Sequence, residues 1–271
     1  MAYENILYEV RDGVGILTLN RPEVYNSLNA ALMTEVRDLL PRVAADPGTG
    51  ALVITGAGDA FCSGADLTDA GKGGASEGEA EVSVGEMVSR RMIAYYNPFI
   101  SEIFHLEKPV IAAVNGVAAG GGVGLALTAD VVVAGRSAYF MQVFGPRLGL
   151  VPDCGCTWYV PRLVGRARAL GLALLGEKLP AEEAARWGLI WKCVDDGALM
   201  DEVMGLARQL AEGPTKAFGY IKRAFRVSER NDLDAQLDYE RLCQRALADT
   251  QDFMEGVTAF LEKRKPEFKG R

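Results

Sequence analysis

The segment that decides the fold is KPVIAAVNGVAAGGGVGLALTAD, residues 108–130. Its first part, KPVIAAVNG, is a short apolar run typical of a strand buried on both faces. The glycine-rich part then leads into a short apolar helix. ALVITG (51–56) precedes this segment as another buried strand, and VVVAGRSAYFM (131–141) returns to strand after it. Strands that alternate with helices in this way predict an α/β fold with crossover connections.

The rest of the chain divides into a core and a helical tail. ILYEVRDGVGILTLN (6–20) predicts a hairpin around Asp12-Gly13, and residues 86–107 have the pattern of a helix. After residue 195 the sequence changes to long amphipathic helical segments, which must bury an apolar face on the core or on another subunit. We therefore predict a core over 1–195 and a helical C-terminal region over 196–271.

Composition limits the classes of partner. The chain has 271 residues, is 49% hydrophobic and carries a net charge of -7, which argues against nucleic acid and anionic membranes as partners. The sequence has no signal peptide and no apolar run of membrane-spanning length, so we expect a cytoplasmic protein. An odd number of cysteines, five, fits reduced thiols in that compartment.

A single histidine limits the chemistry. His105 is the only one, so a serine or cysteine nucleophile activated by histidine would have to use it. Its place at the end of a helical segment favours a structural role. We expect no metal site, because zinc would lack enough nitrogen and sulfur ligands.

Two glycine turns are candidates for binding a negative oxygen. AGGGVG (119–124) does not keep the spacing of a dinucleotide-binding loop, and no acidic residue follows at the expected distance. Glycines at a helix start instead leave backbone N–H groups free. FCSGADL (61–67) is a second such turn after a strand. Together the turns could form an oxyanion hole, which stabilises charge on a carbonyl oxygen.

Three motifs in one order carry a family resemblance. NRPEVYNSLN (20–29), GAGDAFCSGADL (56–67) and KPVIAAVNGVAAGGG (108–122) resemble the motifs of the crotonase, or enoyl-CoA hydratase/isomerase, superfamily. The resemblance continues to EGVTAFLEKRKPEFKG (255–270) at the C-terminus. It implies a spiral of β-β-α units with a helical C-terminal region, a homotrimer or dimer of trimers, and an acyl-CoA substrate whose coenzyme A is no separate cofactor.

The resemblance also assigns site residues. It places the oxyanion amides at Ala65 and Gly121. Asp66 and Leu67 fall where the family contacts the adenine and pantetheine part of coenzyme A. Three C-terminal lysines are candidates for the 3′-phosphate, in this chain or a neighbouring subunit: Lys263, Lys265 and Lys269.

The family's hydratases carry two glutamates that this chain lacks. Gly124 takes the place of the first, and Phe144 or Gly145 the place of the second. Hydration needs one group to activate water and another to protonate carbon. The resemblance therefore argues against a hydratase. LGLVPDCGCTWYVPRLVGRARALGLALLGEKL (148–179) is similar instead to the isomerases of phenylacetate degradation, although Cys156 stands where those have glycine.

Asp153 is the candidate acid/base. Its neighbours alone also fit a helix N-cap, but isomerase branches use a carboxylate at this position. Phe140, Phe144 and Trp158 are predicted to line an apolar pocket there, and desolvation would raise the Asp153 pKa. One such carboxylate could take a proton from one carbon and return it to another.

Several alternatives stay open. The chain could be a hydratase with unrecognised carboxylates, a non-catalytic relative that binds CoA thioesters, or, from the glycine loop alone, a nicotinamide enzyme. Residues 68–85 are rich in Gly, Ser and Glu and predict a loop long enough to be a lid. Four glutamates in or beside it could supply a second acid: Glu77, Glu79, Glu81 and Glu86. Tyr95 and Tyr96 could line the acyl pocket or pack in the core.

Overall fold

The computed structural model describes residues 3–68 and 82–270. The predicted lid over 68–85 lies mostly outside these residues, and so do Glu77, Glu79 and Glu81. Glu86 is described. Its carboxylate pairs with Arg90 at 2.7 Å on an exposed helix surface.

The strands of the described residues form two sheets. The larger has the order β1-β2-β3-β5-β7-β10 and is parallel except for the β1–β2 pair, and the smaller has the order β4-β6-β8-β9. The strands are β1 (Ile6–Arg11), β2 (Val14–Leu19), β3 (Ala51–Gly56), β4 (Ala60–Cys62), β5 (Val110–Val114), β6 (Val117–Ala119), β7 (Val131–Gly135), β8 (Tyr139–Met141), β9 (Lys178–Pro180) and β10 (Lys192–Val194).

The helices follow the strands and then continue alone. They are α1 (Ala30–Ala45), α2 (Val84–Arg91), α3 (Asn97–His105), α4 (Gly121–Thr128), α5 (Cys156–Leu175), α6 (Ala181–Trp187), α7 (Leu199–Ala211), α8 (Thr215–Ser228), α9 (Leu233–Ala248) and α10 (Gln251–Glu262). A π-helical turn, Met92–Tyr96, joins α2 to α3.

A β-β-α unit repeats along the core, as the resemblance implied. In each unit one strand joins the large sheet, the next joins the small sheet, and a helix follows: β3-β4-α2, β5-β6-α4 and β7-β8-α5. Within the two sheets these strands pair in parallel. Because each unit advances by one strand in both sheets, the chain forms a spiral. The turns that directly follow β4 and β6 therefore lie side by side.

Both faces of the large sheet are covered. The main core packs α1, α3 and α4 on one face, with Leu32, Phe99 and Leu125 among its buried side chains. On the other face, Val203 and Ala207 of α7 pack against alternate residues of the strands. The first long helix of the region after residue 196, α7, thus packs on the large sheet of the core.

The last helices bury little. Within the described residues, α9 has no buried side chain, and large apolar side chains of α8–α10 are exposed, including Phe225 at 74% and Phe260 at 83%. Among the helices described, none has the length and apolar character that a membrane span requires.

Candidate active site

The two predicted glycine turns meet. Gly64, after β4, has φ +95°, and Gly120, before α4, has φ +51°, a region that favours glycine. A Cβ atom on Gly64 would lie 2.8 Å from the Ala119 carbonyl oxygen and 3.1 Å from the Gly121 nitrogen. Only a glycine lets the two turns approach this closely.

Within residues 3–68 and 82–270, neither predicted donor makes a backbone hydrogen bond in a turn or loop. Leu28 N–H donates to Gly64 O at 2.7 Å, and Asp66 N–H donates to Leu28 O at 3.0 Å. Because backbone groups alternate along an extended segment, the Ala65 N–H points away from this bridge. Gly121 is the first residue of α4, and no carbonyl of the helix can accept its N–H. The geometry suits an oxyanion hole, which stays a prediction.

The thiol of Cys156 holds the peptide group before Gly121. It donates to the Gly120 carbonyl at 3.7 Å, and burial raises its pKa to about 12. The carbonyl and the next N–H of a trans peptide point in opposite directions. The bond to Gly120 O therefore helps to direct Gly121 N–H away from Cys156. The one departure from the isomerase pattern thus contacts the glycine turn directly.

Asp153 lies beside Gly121 and does not cap the helix with its side chain. Helix α5 begins at Cys156, its N-cap residue is Gly155, and no side chain caps it. Only the Asp153 backbone carbonyl is used, accepting from Cys156 N–H at 2.9 Å. A Cβ on Gly121 would lie 3.8 Å from Asp153 Oδ1. The carboxylate and the Gly121 amide therefore border the same space.

Partial burial shifts the pKa of the Asp153 carboxyl group. Desolvation raises the pKa of its carboxyl above 3.8, while the neighbouring Cys154 thiol and the residue's own backbone N–H act in the opposite direction. A carboxylate with a raised pKa is a stronger base than an exposed one.

The positions of the two hydratase glutamates are closed. A Cβ on Gly124 would lie 2.1 Å from the Cys154 carbonyl oxygen, so no side chain fits there. The resemblance gives the second position to Phe144 or Gly145. The buried Phe144 ring lies over the same glycine turn, with Cζ 3.7 Å from a Cβ on Gly120, and a Cβ on Gly145 would lie 3.1 Å from the Ala173 carbonyl oxygen. Apolar or backbone atoms occupy both places.

The three residues predicted to line the apolar pocket lie in three different places. Trp158 lines a cavity of 260 Å³ together with Cys154, Phe104 and Tyr159, and these three rings meet edge to face. Phe144 lies against the glycine turn. Phe140 is buried on β8 within the main core, so the structure brings it to the sheet and not to this cavity.

The residues predicted to contact coenzyme A also differ in their surroundings. The Asp66 carboxylate accepts from Arg21 Nη2 at 2.9 Å, with both side chains largely buried. Leu67 is 59% exposed and free to contact a ligand. The three lysines lie at and beyond the end of α10, and Lys265 pairs with Glu212 at 2.7 Å. Their role stays a prediction.

Sequence reasoning missed the role of Arg21 and named Tyr96 only as a residue of the acyl pocket or the core, where it is now found buried. Arg21 joins Asp66 to the Ser27 carbonyl, and the buried Tyr96 hydroxyl donates to Leu28 O at 3.1 Å. Tyr96 therefore supports the backbone beside Ala65. Arg21 lies in the quoted motif NRPEVYNSLN, but its partner is 45 residues away, beyond the reach of any local pattern.

We expect Asp66→Asn to lower the free energy of unfolding at pH 7 by about 2 kcal/mol, the scale of hydrogen bonds to a charged group. Although burial alone would raise the Asp66 pKa, bonds from Thr68 and Arg21 lower it below 3.8 overall. Because the Asp66 pKa is lower in the folded protein than in the unfolded chain, the ionised carboxylate stabilises the fold at any pH above the unfolded pKa. This stabilisation is lost as the pH falls through the folded pKa. Urea unfolding should therefore show that the difference in free energy of unfolding between wild type and variant becomes smaller below pH 4. A difference independent of pH would contradict this.

Comparison with known proteins agrees with this architecture. The family model for Enoyl-CoA hydratase/isomerase matches residues 9–271. The chain is 49% identical to the 1,2-epoxyphenylacetyl-CoA isomerase of Escherichia coli over 99% of both chains. It is equally similar, at 49% over the full length of both, to a protein of Rhodobacter capsulatus described as a probable enoyl-CoA hydratase. The crystal structure of enoyl-CoA hydratase from Bacillus anthracis superposes with a TM-score of 0.89, at 31% identity, covering 99% of this chain and 100% of that one. The fold, the two glycine turns and these matches show that the chain belongs to the crotonase, or enoyl-CoA hydratase/isomerase, family of enzymes.

Proposed function

We propose that this protein is an acyl-CoA isomerase that moves a double bond with one carboxylate. The observation that carries the proposal is the position of Asp153, whose Oδ1 lies 3.8 Å from a Cβ built on Gly121. A thioester carbonyl bound at the Gly121 amide would have its neighbouring carbons beside this carboxylate.

The reaction needs only these groups. The N–H groups of Ala65 and Gly121 bind the thioester oxygen and stabilise the charge that develops on it. The Asp153 carboxylate removes a proton from C2 of a 3-enoyl thioester, which leaves a dienolate. The same carboxyl group then returns the proton to C4. The product is the 2-enoyl thioester, and no water is consumed.

Within the described residues, the closed places of the two hydratase glutamates support isomerisation over hydration. Gly124 lies against the Cys154 carbonyl, and the Phe144 ring lies over Gly120 of the same glycine turn. Phe144 also limits water near the enolate, which protects it from side reactions. An equally similar relative carries a hydratase name, so hydration is the outcome that the experiment must separate.

The acyl group that fits is unsaturated and able to enter an aromatic cavity. Phe104, Trp158 and Tyr159 line the 260 Å³ space beside Cys154, and aromatic walls pack well against a flat ring. With the name of the Escherichia coli relative, this supports both a straight-chain 3-enoyl-CoA and the ring epoxide of phenylacetyl-CoA as substrates, in phenylacetate degradation.

The setting of the enzyme is part of the proposal. Exposed apolar side chains on α8–α10, among them Phe225 and Leu261, support a homotrimer or dimer of trimers, because patches of this kind mark subunit contacts. We propose a cytoplasmic enzyme that acts without a cofactor beyond the coenzyme A of its substrate.

The test is product analysis with wild-type protein. trans-3-Hexenoyl-CoA should yield 2-hexenoyl-CoA, and crotonyl-CoA should yield little 3-hydroxybutyryl-CoA in the same time. Rapid hydration of crotonyl-CoA without isomerisation of the hexenoyl thioester would contradict the proposal.

The pH dependence follows from the state of Asp153. The base must be ionised, and burial raises its pKa above 3.8. We therefore expect kcat/KM to fall as pH decreases through a value above that of an exposed aspartate, by about tenfold per pH unit on the acid side. A pH–rate profile between pH 4 and 8 measures this. Full activity down to pH 4 would disagree with a buried base.

A further inference from the structure

The residue after Asp153 has an unusual backbone. Cys154 has φ +50° and Gly155 has φ +80°, so two successive residues are left-handed between Asp153 and α5. Residues other than glycine rarely adopt this conformation. The surrounding structure holds Cys154 there: its carbonyl packs on Gly124, 2.1 Å from the place of a Cβ.

This turn places the Cys154 thiol beside the carboxylate. A Cβ on Gly121 would lie 3.0 Å from Cys154 Sγ and 3.8 Å from Asp153 Oδ1. Both groups thus face the same small space next to the predicted oxyanion amide. Cys154 is 5% exposed, so little water competes for its interactions.

The thiol can only donate there. Burial, first, and the neighbouring Asp153 charge raise the Cys154 pKa well above 9.0, so it stays protonated at physiological pH. A protonated thiol is neither a nucleophile nor a second base. Its S–H remains available as a donor to the carboxylate.

We propose that Cys154 is a positioning residue, whose thiol donates a hydrogen bond to one carboxylate oxygen of Asp153 and leaves the other oxygen directed at the substrate carbons beside Gly121. Its catalytic meaning rests on the proposed function of Asp153 as the base. The bond fixes the orientation of a short side chain that the helix does not cap. It also favours the ionised carboxylate, against the effect of burial.

The direct test is the titration of Asp153 without substrate. Carbon-13 NMR of protein labelled at aspartate carboxyl groups, with the Asp153 signal assigned by its loss in Asp153→Asn, should show a pKa about 1 higher in Cys154→Ala than in wild type. Cys154→Ser keeps a donor and should stay near wild type or below it. Cys193 lies on β10, and Cys193→Ala is the control, which should leave the Asp153 pKa unchanged. An unchanged or lower Asp153 pKa in Cys154→Ala overturns the proposal, even if the protein has no isomerase activity.

Kinetics supply the second readout. In Cys154→Ala, kcat for trans-3-hexenoyl-CoA should fall about tenfold above the acid limb, the scale of one hydrogen bond lost in the transition state. KM should change little, and the acid limb should move with the NMR value. Cys154→Ser should restore most of kcat. A Cys154→Ser variant as impaired as Cys154→Ala would mean that the thiol acts by packing alone. If the wild type did not isomerise at all, the proposed function would fail and the titration would still decide the hydrogen bond.

Discussion

Replacing Asp153 with asparagine is expected to lower kcat for isomerisation by about 10²–10⁴-fold, the usual contribution of a general base. Asparagine has the same shape but cannot accept the C2 proton. The oxyanion amides of Ala65 and Gly121 are unchanged, so the KM for trans-3-hexenoyl-CoA should stay within a few-fold. Initial rates with both proteins, measured at pH 8 where the base is ionised, give the comparison.

Stability separates this loss from misfolding. The raised pKa of Asp153 means that its charge is less favourable in the folded protein than in the unfolded chain, and this penalty is present at neutral pH. Asp153→Asn should therefore unfold at a temperature no lower than wild type. Asp201→Asn, an exposed site on α7, is the matched control and should keep full activity. Retention of more than a tenth of the wild-type rate by Asp153→Asn would refute the assignment.

Gly124→Ala is expected to lower the free energy of unfolding by about 3 kcal/mol, at the upper end of the usual effect of overpacking. The new Cβ would lie 2.1 Å from Cys154 O and 2.7 Å from Cys154 Cβ. Because a backbone carbonyl cannot rotate away as a flexible side chain can, residues 152–155 must shift, and Asp153 shifts with them. Activity should fall along with stability.

A glycine of the same chain gives the control. Gly205, within α7, has no atom within 4 Å of a Cβ, so Gly205→Ala should raise stability by about 0.4–1 kcal/mol through the unfolded state. Urea unfolding of the two variants at one pH measures both effects. A Gly124→Ala protein as stable as wild type would contradict the close packing that leaves no room for a hydratase glutamate.

The parts of the site that sequence reasoning could predict are those written in adjacent residues. The buried strands β3, β5 and β7 are continuous apolar runs, and the glycine turns follow β4 and β6 at once. The repeated order of strand and helix places these turns next to each other. The local sequence also contained the proline, aspartate and glycines around residue 153, but it did not decide between a cap and a base.

What local patterns could not give depends on contacts between distant segments. Arg21 meets Asp66, and Tyr96 reaches Leu28 over 68 residues. The position of Phe140 also could not be predicted from local sequence. An aromatic residue near the site in sequence can point into either layer, and the register of β8 with Leu179 of β9 turns it into the core.

In the proposed mechanism, the Asp153 carboxyl group removes a proton and returns the same one. The most direct measurement is a single turnover of 3-hexenoyl-CoA carrying deuterium at C2, with excess enzyme in ordinary water. Because the group that removes the deuterium is the group that returns a proton to C4, we predict that part of the deuterium appears at C4 of the 2-hexenoyl product. Isomerised product with no deuterium at C4, or a 3-hydroxyacyl product containing oxygen from water, would contradict proton transfer by the Asp153 carboxyl group.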